Sequence, residues 1–224
     1  MQKAAYQAKQ AILCHPHSKL SLTADEVSFS TFDMSLLRSS IAKLRDSACL
    51  LNLHSICGPK LSFPYRVVLL RSTQGFDFDA YINPRIVQAE AQHYGMWESC
   101  ISLDGISAWL TRSRSISVES CDESGNAKRV TLQGLAARLF LHEMDHLSGE
   151  CIITRAKSRQ FVVTSNALMQ KHLWEANFPS PEAFATPMFC YYDFASRRVE
   201  RTPELAMESA QMNTLFPKDP ALSG

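Results

Sequence analysis

At 224 residues the chain is long enough for one sizeable hydrophobic core, so we predict a single central domain with extensions at its ends. Its 23 lysines and arginines balance 22 acidic residues, and a formal charge of +1 does not favour nucleic-acid binding through bulk charge. Hydrophobic residues make up 46% of the sequence, but no apolar run approaches the roughly 18 residues of a membrane-spanning helix. We therefore expect a folded protein with no membrane span and no direct nucleic-acid contact.

The cysteines and the first residues of the chain indicate the cellular compartment in which the protein is expected. The seven cysteines are scattered, odd in number and never in a C-x-x-C pair, which is atypical of a secreted disulfide framework. The first 24 residues carry three lysines and no acidic residue before Asp25, which resembles an organellar transit peptide, although arginine is absent. The alternative is a disordered or truncated terminus. We expect a reducing compartment and no secretion.

The first half of the chain predicts one helix and two strands. Apolar residues recur every three or four positions between residues 32 and 53, which predicts one long amphipathic helix. Residues 65–70 are rich in valine and leucine and predict a buried strand. Residues 78–87 predict a second strand, which the Asn83-Pro84 pair makes either bent or an edge strand.

The second half predicts a hairpin followed by a helix. Residues 114–118 and 128–132 form the hairpin, with turn-forming residues between them. Thr131 is expected to cap the helix that follows, and Gly149 to end it. Residues 188–194 predict a short strand, and the last twenty or so residues a tail. The spacing of the helix places four residues on one buried face: Leu135, Leu139, His142 and His146.

Residues 142–146, H-E-M-D-H, are the most informative segment. Histidines four residues apart on a helix can both reach one divalent ion, and the glutamate between them can take a proton from a metal-bound water. The alternative is that there is no metal site, that His142 and His146 are histidines of the hydrophobic core, and that Glu143 is an acidic residue at the surface. A catalytic site also needs a third ligand, and the candidates downstream of the helix are poor, so we expect it upstream.

Two motifs resemble those of the peptide deformylase family. Its E-G-C-L-S motif is similar to residues 98–102, E-S-C-I-S, and its H-E-x-D-H helix is matched completely by residues 142–146. The resemblance covers about residues 35 to 155. It implies an α+β domain, with antiparallel β-sheets packed around a central metal-binding helix. It also implies an enzyme that hydrolyses the formyl group from the initiator methionine of new polypeptides.

Carried over position by position, the resemblance implies that Cys100, His142 and His146 bind the metal. Glu143 is then general base and later general acid for the metal-bound water that attacks the formyl carbon, while the backbone amide of Ile101 donates to the oxyanion. A thiolate and two imidazoles suit Fe(II), Zn(II), Ni(II) or Co(II), with Fe(II) the expected metal in the cell. The implied partners are an N-formylmethionyl peptide and the ribosome, in a mitochondrial or other organelle matrix or otherwise the cytoplasm.

The family's first motif, G-x-G-x-A-A-x-Q, corresponds to residues 53–60, where the sequence is L-H-S-I-C-G-P-K. Lys60 stands where the family keeps a glutamine that donates to the oxyanion, and losing such a donor costs about 2.7–4 kcal/mol of transition-state stabilisation. A lysine ammonium can still donate, although its charge near a divalent ion is unfavourable. We predict a catalytic role for Lys60. Arg112 is expected to pair with Glu98 or Asp145 and to hold a ligand loop in place.

The sequence leaves three functions open. The first is a metal-dependent deformylase. The second is a binding or regulatory protein that keeps the metal but lost efficient catalysis, and the third is another metallohydrolase such as an endopeptidase or amidase. The expected organisation is an N-terminal extension over residues 1–30, a transit-peptide remnant by one interpretation, then a catalytic domain over 31–156 and a C-terminal extension over 157–224 that packs on the domain or forms a tail.

Overall fold

The computed structural model describes residues 2–72 and 77–201. Within these residues, six α-helices and ten strands form an α+β fold in which both β-sheets are antiparallel, as predicted. The helices are α1 (Gln2–Ala11), α2 (Met34–Leu50), α3 (Gly134–Leu147), α4 (Ile152–Arg155), α5 (Ser165–Met169) and α6 (Pro181–Ala185). The strands are β1 (Ser55–Cys57), β2 (Val67–Arg71), β3 (Phe78–Ala89), β4 (His93–Ser99), β5 (Ile106–Ser113), β6 (Ser115–Cys121), β7 (Ala127–Gln133), β8 (Val162–Thr164), β9 (Cys190–Asp193) and β10 (Arg198–Arg201).

The strands form two sheets with helix α3 packed against both. One sheet has the order β1-β2-β3-β6-β7 and the other the order β10-β9-β4-β5-β8. Helix α3 contacts β1, β2, β6 and β7 of the first sheet and β5 of the second. This placement makes α3 the central helix of the fold, which confirms the predicted architecture. Across the described residues, no helix has the length and apolar character that crossing a membrane requires.

Helix α2 confirms the first predicted helix. Its buried residues include Leu37, Ile41, Leu44 and Ala48, which recur at the spacing that the sequence showed. The helix is shorter than residues 32–53 because Asp33 caps it, accepting hydrogen bonds from the backbone of residues 35 and 36. Its buried face packs on the first sheet in the main hydrophobic core.

Strand β3 confirms the predicted bend, but the alternative of an edge strand is wrong. It lies between β2 and β6, and its pairing with β6 shifts register between Ile82 and Arg85. Asn83 in this bulge has a φ of 51°. Its side chain both accepts from and donates to the backbone of Val27, at 2.8 Å each way. The bulge therefore accommodates Pro84 within a central strand.

The predicted hairpin is confirmed as β6 and β7, but the predicted cap at Thr131 is wrong. The hairpin register continues to the pair Ser115 and Gln133, so Thr131 still lies inside β7, opposite Ser117. Helix α3 begins at Gly134, with no side-chain cap at its start. It ends at Leu147 as expected, and Gly149 follows with a φ of 76°.

The first thirty residues are structured, so the alternative of a disordered terminus is wrong for residues 2–30. Helix α1 packs against α2. The backbone N–H of Leu13 donates to the carbonyl of Lys60, and that of His15 to the carbonyl of Ser102, each at 2.8 Å. This segment is therefore fixed to the short 3₁₀ helix Gly58–Leu61, which carries Lys60, and to the turn after Cys100.

Residues after 156 extend the second sheet. Strand β8 pairs with β5, and β9 pairs with β4, so the predicted short strand at 188–194 is confirmed. The predicted tail falls mostly on residues 202–224, which lie outside the described residues. The division of the chain at residues 30 and 156 stays a prediction.

Candidate metal centre and cleft

The structure brings the three expected metal ligands together in the interior. Helix α3 presents His142 and His146, and Cys100 directly follows β4. One ligand atom from each of these residues lies within 4.8 Å of the other two, and all three residues are buried. The Cys100 Sγ is 3.3 Å from the His146 Nε2. The alternative of two core histidines without a metal site does not account for their convergence with a buried thiol.

Glu98 orients one of the histidines. Its Oε2 is 3.2 Å from the His142 Nδ1, which leaves the Nε2 of that ring for the cluster. Arg112 donates to both Glu98 oxygens, at 2.7 and 2.9 Å, and lies 2.8 Å from Asp145. Arg138 of α3 also pairs with Glu98. Burial alone would raise the pKa of Glu98, but the two guanidinium groups hold it well below its usual range. Arg112 thus pairs with both expected partners.

Lys60 points into the centre and pairs with Glu143. Its Nζ lies 2.8 Å from the Glu143 Oε1, and the Ser55 hydroxyl donates to the same oxygen at 2.8 Å. The two charged side chains are 3% and 1% exposed. The other oxygen of the carboxylate, Oε2, is buried and has no hydrogen-bond partner among the described residues. The base expected from the sequence therefore has one oxygen occupied and one available.

The Lys60 ammonium controls the charge of two neighbours. Burial alone would raise the pKa of Glu143, but Lys60 and His142 lower it to about 2. Burial would likewise raise the pKa of Cys100, but Lys60 and His142 hold it well below its usual range. The pKa of Lys60 itself is raised, since Glu143 and Cys100 outweigh its burial. The site therefore holds a thiolate and a carboxylate, compensated by the buried ammonium.

The donor set fits a divalent transition metal. A thiolate and two imidazoles are ligands that Fe(II), Zn(II), Ni(II) and Co(II) accept, and three ligands leave a coordination position open. The Glu98 carboxylate contacts the Nδ1 of His142, and such a contact orients the imidazole of a histidine that binds a metal. The positive charge of Lys60 is balanced by Glu143, which reduces the repulsion expected between this lysine and a divalent ion.

A cleft opens beside these residues, with a cavity volume of about 300 Å³. Ile101 and Leu139 line it, as do Lys60 and Glu143. Trp109 is not among the described residues that line it. Its ring instead packs against Trp97, with the ring centroids 5.7 Å apart.

Sequence reasoning missed several residues of the site. Arg138 lies four positions before His142, so the helical spacing could have placed it near Glu98. Ser55 occupies a position where the family motif has glycine, and no local pattern marks it as a partner of Glu143. Met188 and Phe189 also line the cleft, and they come from a distant segment with no recognisable motif.

The fold and the site together define a class of α+β protein in which an H-E-x-x-H helix and an upstream cysteine form a candidate metal site. The chain belongs to the polypeptide deformylase family, whose model matches residues 9–162. A protein named peptide deformylase 2 from Nostoc sp. is 33% identical over 117 residues, which cover 49% of this chain and 65% of that protein. Peptide deformylase 2 from Clostridium perfringens is 29% identical over 132 residues, or 59% of this chain and 85% of that protein.

Solved structures show the same fold. The peptide deformylase from Thermotoga maritima is 27% identical, with a TM-score of 0.60 over 66% of this chain and 97% of that one. A class I type b peptide deformylase from Acinetobacter baumannii is 22% identical, with a TM-score of 0.61 over 65% of this chain and 97% of that one. About a third of this chain, including the residues after 162, lies outside the family match.

Proposed function

We propose that this protein is a metal-dependent hydrolase that removes the formyl group from the N-terminal methionine of nascent polypeptides. The observation that carries the proposal is the buried cluster of Cys100, His142 and His146, with the Glu143 carboxylate in the same cleft. An Acinetobacter baumannii peptide deformylase, 20% identical with a TM-score of 0.60, has been solved with Met-Ala-Ser bound. That ligand corresponds to the deformylated product that we propose here.

The proposed metal ligands are Cys100, His142 and His146. A divalent ion held there, Fe(II) in the cell, supplies Lewis-acid activation of water and of the formyl carbonyl. Glu143 accepts the proton of the attacking water at its unpartnered Oε2 and returns it to the leaving amine, so that formate and a free amino terminus are produced. Because Ser55 and Lys60 fix Oε1, the carboxylate cannot rotate freely away from this position.

Lys60 and Ile101 are the proposed donors to the oxyanion. The ammonium of Lys60 carries three protons, of which one is directed at Glu143, so two remain for the formyl oxygen. Ile101 follows the ligand Cys100 and lines the cleft, where its backbone N–H can supply a second donor. In this role the Lys60 ammonium donates hydrogen bonds to the Glu143 carboxylate and to the oxyanion at the same time.

A second candidate function is a binding or regulatory protein that retains the metal without efficient turnover. The observation that favours it is the ion pair between Lys60 and Glu143, since a carboxylate whose pKa is about 2 is a weak proton acceptor. In this alternative the cleft binds a peptide that it does not hydrolyse. A transit-peptide remnant, an organelle location and ribosome association remain proposals tied to the first candidate.

The deciding experiment is anaerobic purification with metal analysis, followed by formate release from an N-formylmethionyl peptide. Native protein, Glu143→Ala and Lys60→Gln are compared at equal metal content. We expect turnover by native protein and its loss in Glu143→Ala. Bound metal with turnover only in Lys60→Gln would instead establish the binding protein, and absence of metal from all three would refute both candidates.

A further inference from the structure

The C-terminal part of the chain reaches the cleft from outside the region that the family model matches. That match ends at residue 162, whereas Met188 and Phe189 line the cleft together with Lys60, Cys100 and Glu143. Met188 also packs against the aromatic cluster that contains Trp97. Two side chains that belong to this chain's own extension therefore face the space in which the proposed substrate binds.

The pairing of β9 with β4 leaves a short length of sheet edge beside the metal ligands. Strand β9 pairs with Tyr94, Gly95 and Met96, and within the described ranges no strand continues this pairing to residues 97–99. Strand β5 covers the opposite edge of β4 along its whole length. The open edge between Met96 and Cys100 is thus three residues long, or about 10 Å at the rise of an extended strand.

The turn before β9 prevents the extension from covering these three residues. Phe189 has a φ of 65°, a left-handed conformation that a continuing strand does not adopt. The N–H of Cys190 donates to the carbonyl of Pro187 at 3.3 Å, which closes the turn around Met188 and Phe189. The chain turns away from β4 here, and the two side chains stand where the open edge ends.

An extended peptide is the occupant that this edge fits. Unpaired backbone groups of a sheet edge hydrogen-bond to an added strand, and neighbouring pockets hold its side chains. The proposed substrate must place its formyl group at the Cys100 end, where the metal ligands and Glu143 lie. Its chain then runs along residues 99 to 97 toward Met188 and Phe189.

We propose that Met188 and Phe189 end the substrate channel, so that about three residues of an N-formylated peptide bind along the β4 edge and the fourth is directed away from it. The proposal rests on the proposed function for the direction of the peptide. Met188 and Phe189 are specificity-determining residues in this arrangement, and they take no part in the chemistry. They limit how much of a longer chain contributes to binding.

The dependence of binding affinity on peptide length tests the proposed channel limit. The probes are Met-Ala, Met-Ala-Ser, Met-Ala-Ser-Ala and a five-residue homologue, all as C-terminal amides, with calorimetric dissociation constants measured on the metal-loaded full chain. Formate release from the formylated counterparts is measured in parallel. One backbone hydrogen bond of typical strength changes affinity by about fivefold. We expect this gain from the second to the third residue and less than a twofold gain from the fourth and fifth.

Two variants and a control test whether Met188 and Phe189, in the turn before β9, set the limit on peptide length. Phe189→Gly removes the ring and keeps the left-handed backbone accessible, and Met188→Ala shortens the other side chain. In each we expect the fourth residue to improve affinity by about fivefold. Phe194→Ala is the matched control, because Phe194 is an exposed aromatic residue after β9 that packs on Tyr192 and does not line the cleft. It should keep the native length profile.

The outcomes separate this proposal from the proposed function. A native gain of fivefold or more from the fourth residue would overturn the channel limit even if both variants failed to fold. So would the absence of peptide binding, or a native length profile retained in folded Phe189→Gly and Met188→Ala. A length limit in binding without any formate release would instead sustain the channel limit and refute the deformylase activity.

Discussion

The buried pair of Lys60 and Glu143 leads to a sharp prediction about stability. Replacing Lys60 with methionine leaves the Glu143 carboxylate with only the Ser55 hydroxyl on its Oε1. The side chains of the pair are 3% and 1% exposed and 2.8 Å apart, so almost no water can replace the ammonium. Breaking one partner of such a buried pair costs about 3–5 kcal/mol, because the remaining charge is uncompensated. Lys60→Met should therefore lower the free energy of unfolding by about this amount.

The double variant separates the pair from general packing. In Lys60→Met with Glu143→Gln neither charge remains, and we expect most of the lost stability to return. Urea unfolding at pH 7, with metal fixed at one saturating concentration, measures all four members of the cycle. Lys9→Met is the control, since Lys9 pairs with Asp104 at the surface and its loss should cost less than about 1 kcal/mol. A double variant destabilised by the sum of the single changes would refute the reasoning.

Three further predictions follow from neighbouring contacts. Glu98→Gln should weaken metal binding by about 10–100-fold, because it removes the carboxylate that contacts His142, and chelator competition measures this affinity. Glu119→Gln, at an exposed ion pair, is the control. Equal metal affinities of the two variants would contradict the orienting role of Glu98. Gly95→Ala should lower the unfolding free energy by about 1–3 kcal/mol, since the added Cβ would lie 2.2 Å from the Trp109 ring, and an unchanged thermal midpoint would show that the ring moves aside. Ser55→Ala should cost about 1–2 kcal/mol in urea unfolding, and no cost would mean that the hydroxyl does not support Glu143.

The parts of the fold that sequence reasoning predicted are those with a strong local signal. Helix α2 shows the spacing of a buried stripe, and the hairpin of β6 and β7 has alternation with a turn between its strands. The convergence of the three candidate metal ligands could also be predicted, because His142 and His146 share one helix face and the flanking residues of Cys100 resemble a family motif. In each case the residues that decide the outcome lie within a few positions of one another.

The predictions that were wrong depended on distant contacts. Local sequence places Thr131 where a helix cap belongs, but pairing across the hairpin extends the strand to Gln133. The edge placement of β3 was wrong because β2 and β6 pair with its two sides, and in its bulge the side chain of Asn83 bonds to Val27, 56 residues earlier. The ion pair of Lys60 is a contact that local sequence does not predict, since its partner Glu143 is 83 residues away and only the folded chain brings the two charges together.

The backbone bonds of Leu13 and His15 restrict how this chain can be shortened. They attach one short segment to the carbonyl of Lys60 and to that of Ser102, so the segment that carries Lys60 and the turn after Cys100 share a single tether. A protease that trims the start of the protein leaves this tether intact only if it cuts before Leu13. Removal of residues 1–15 would release both segments at once, and with them the residues that flank the proposed reaction.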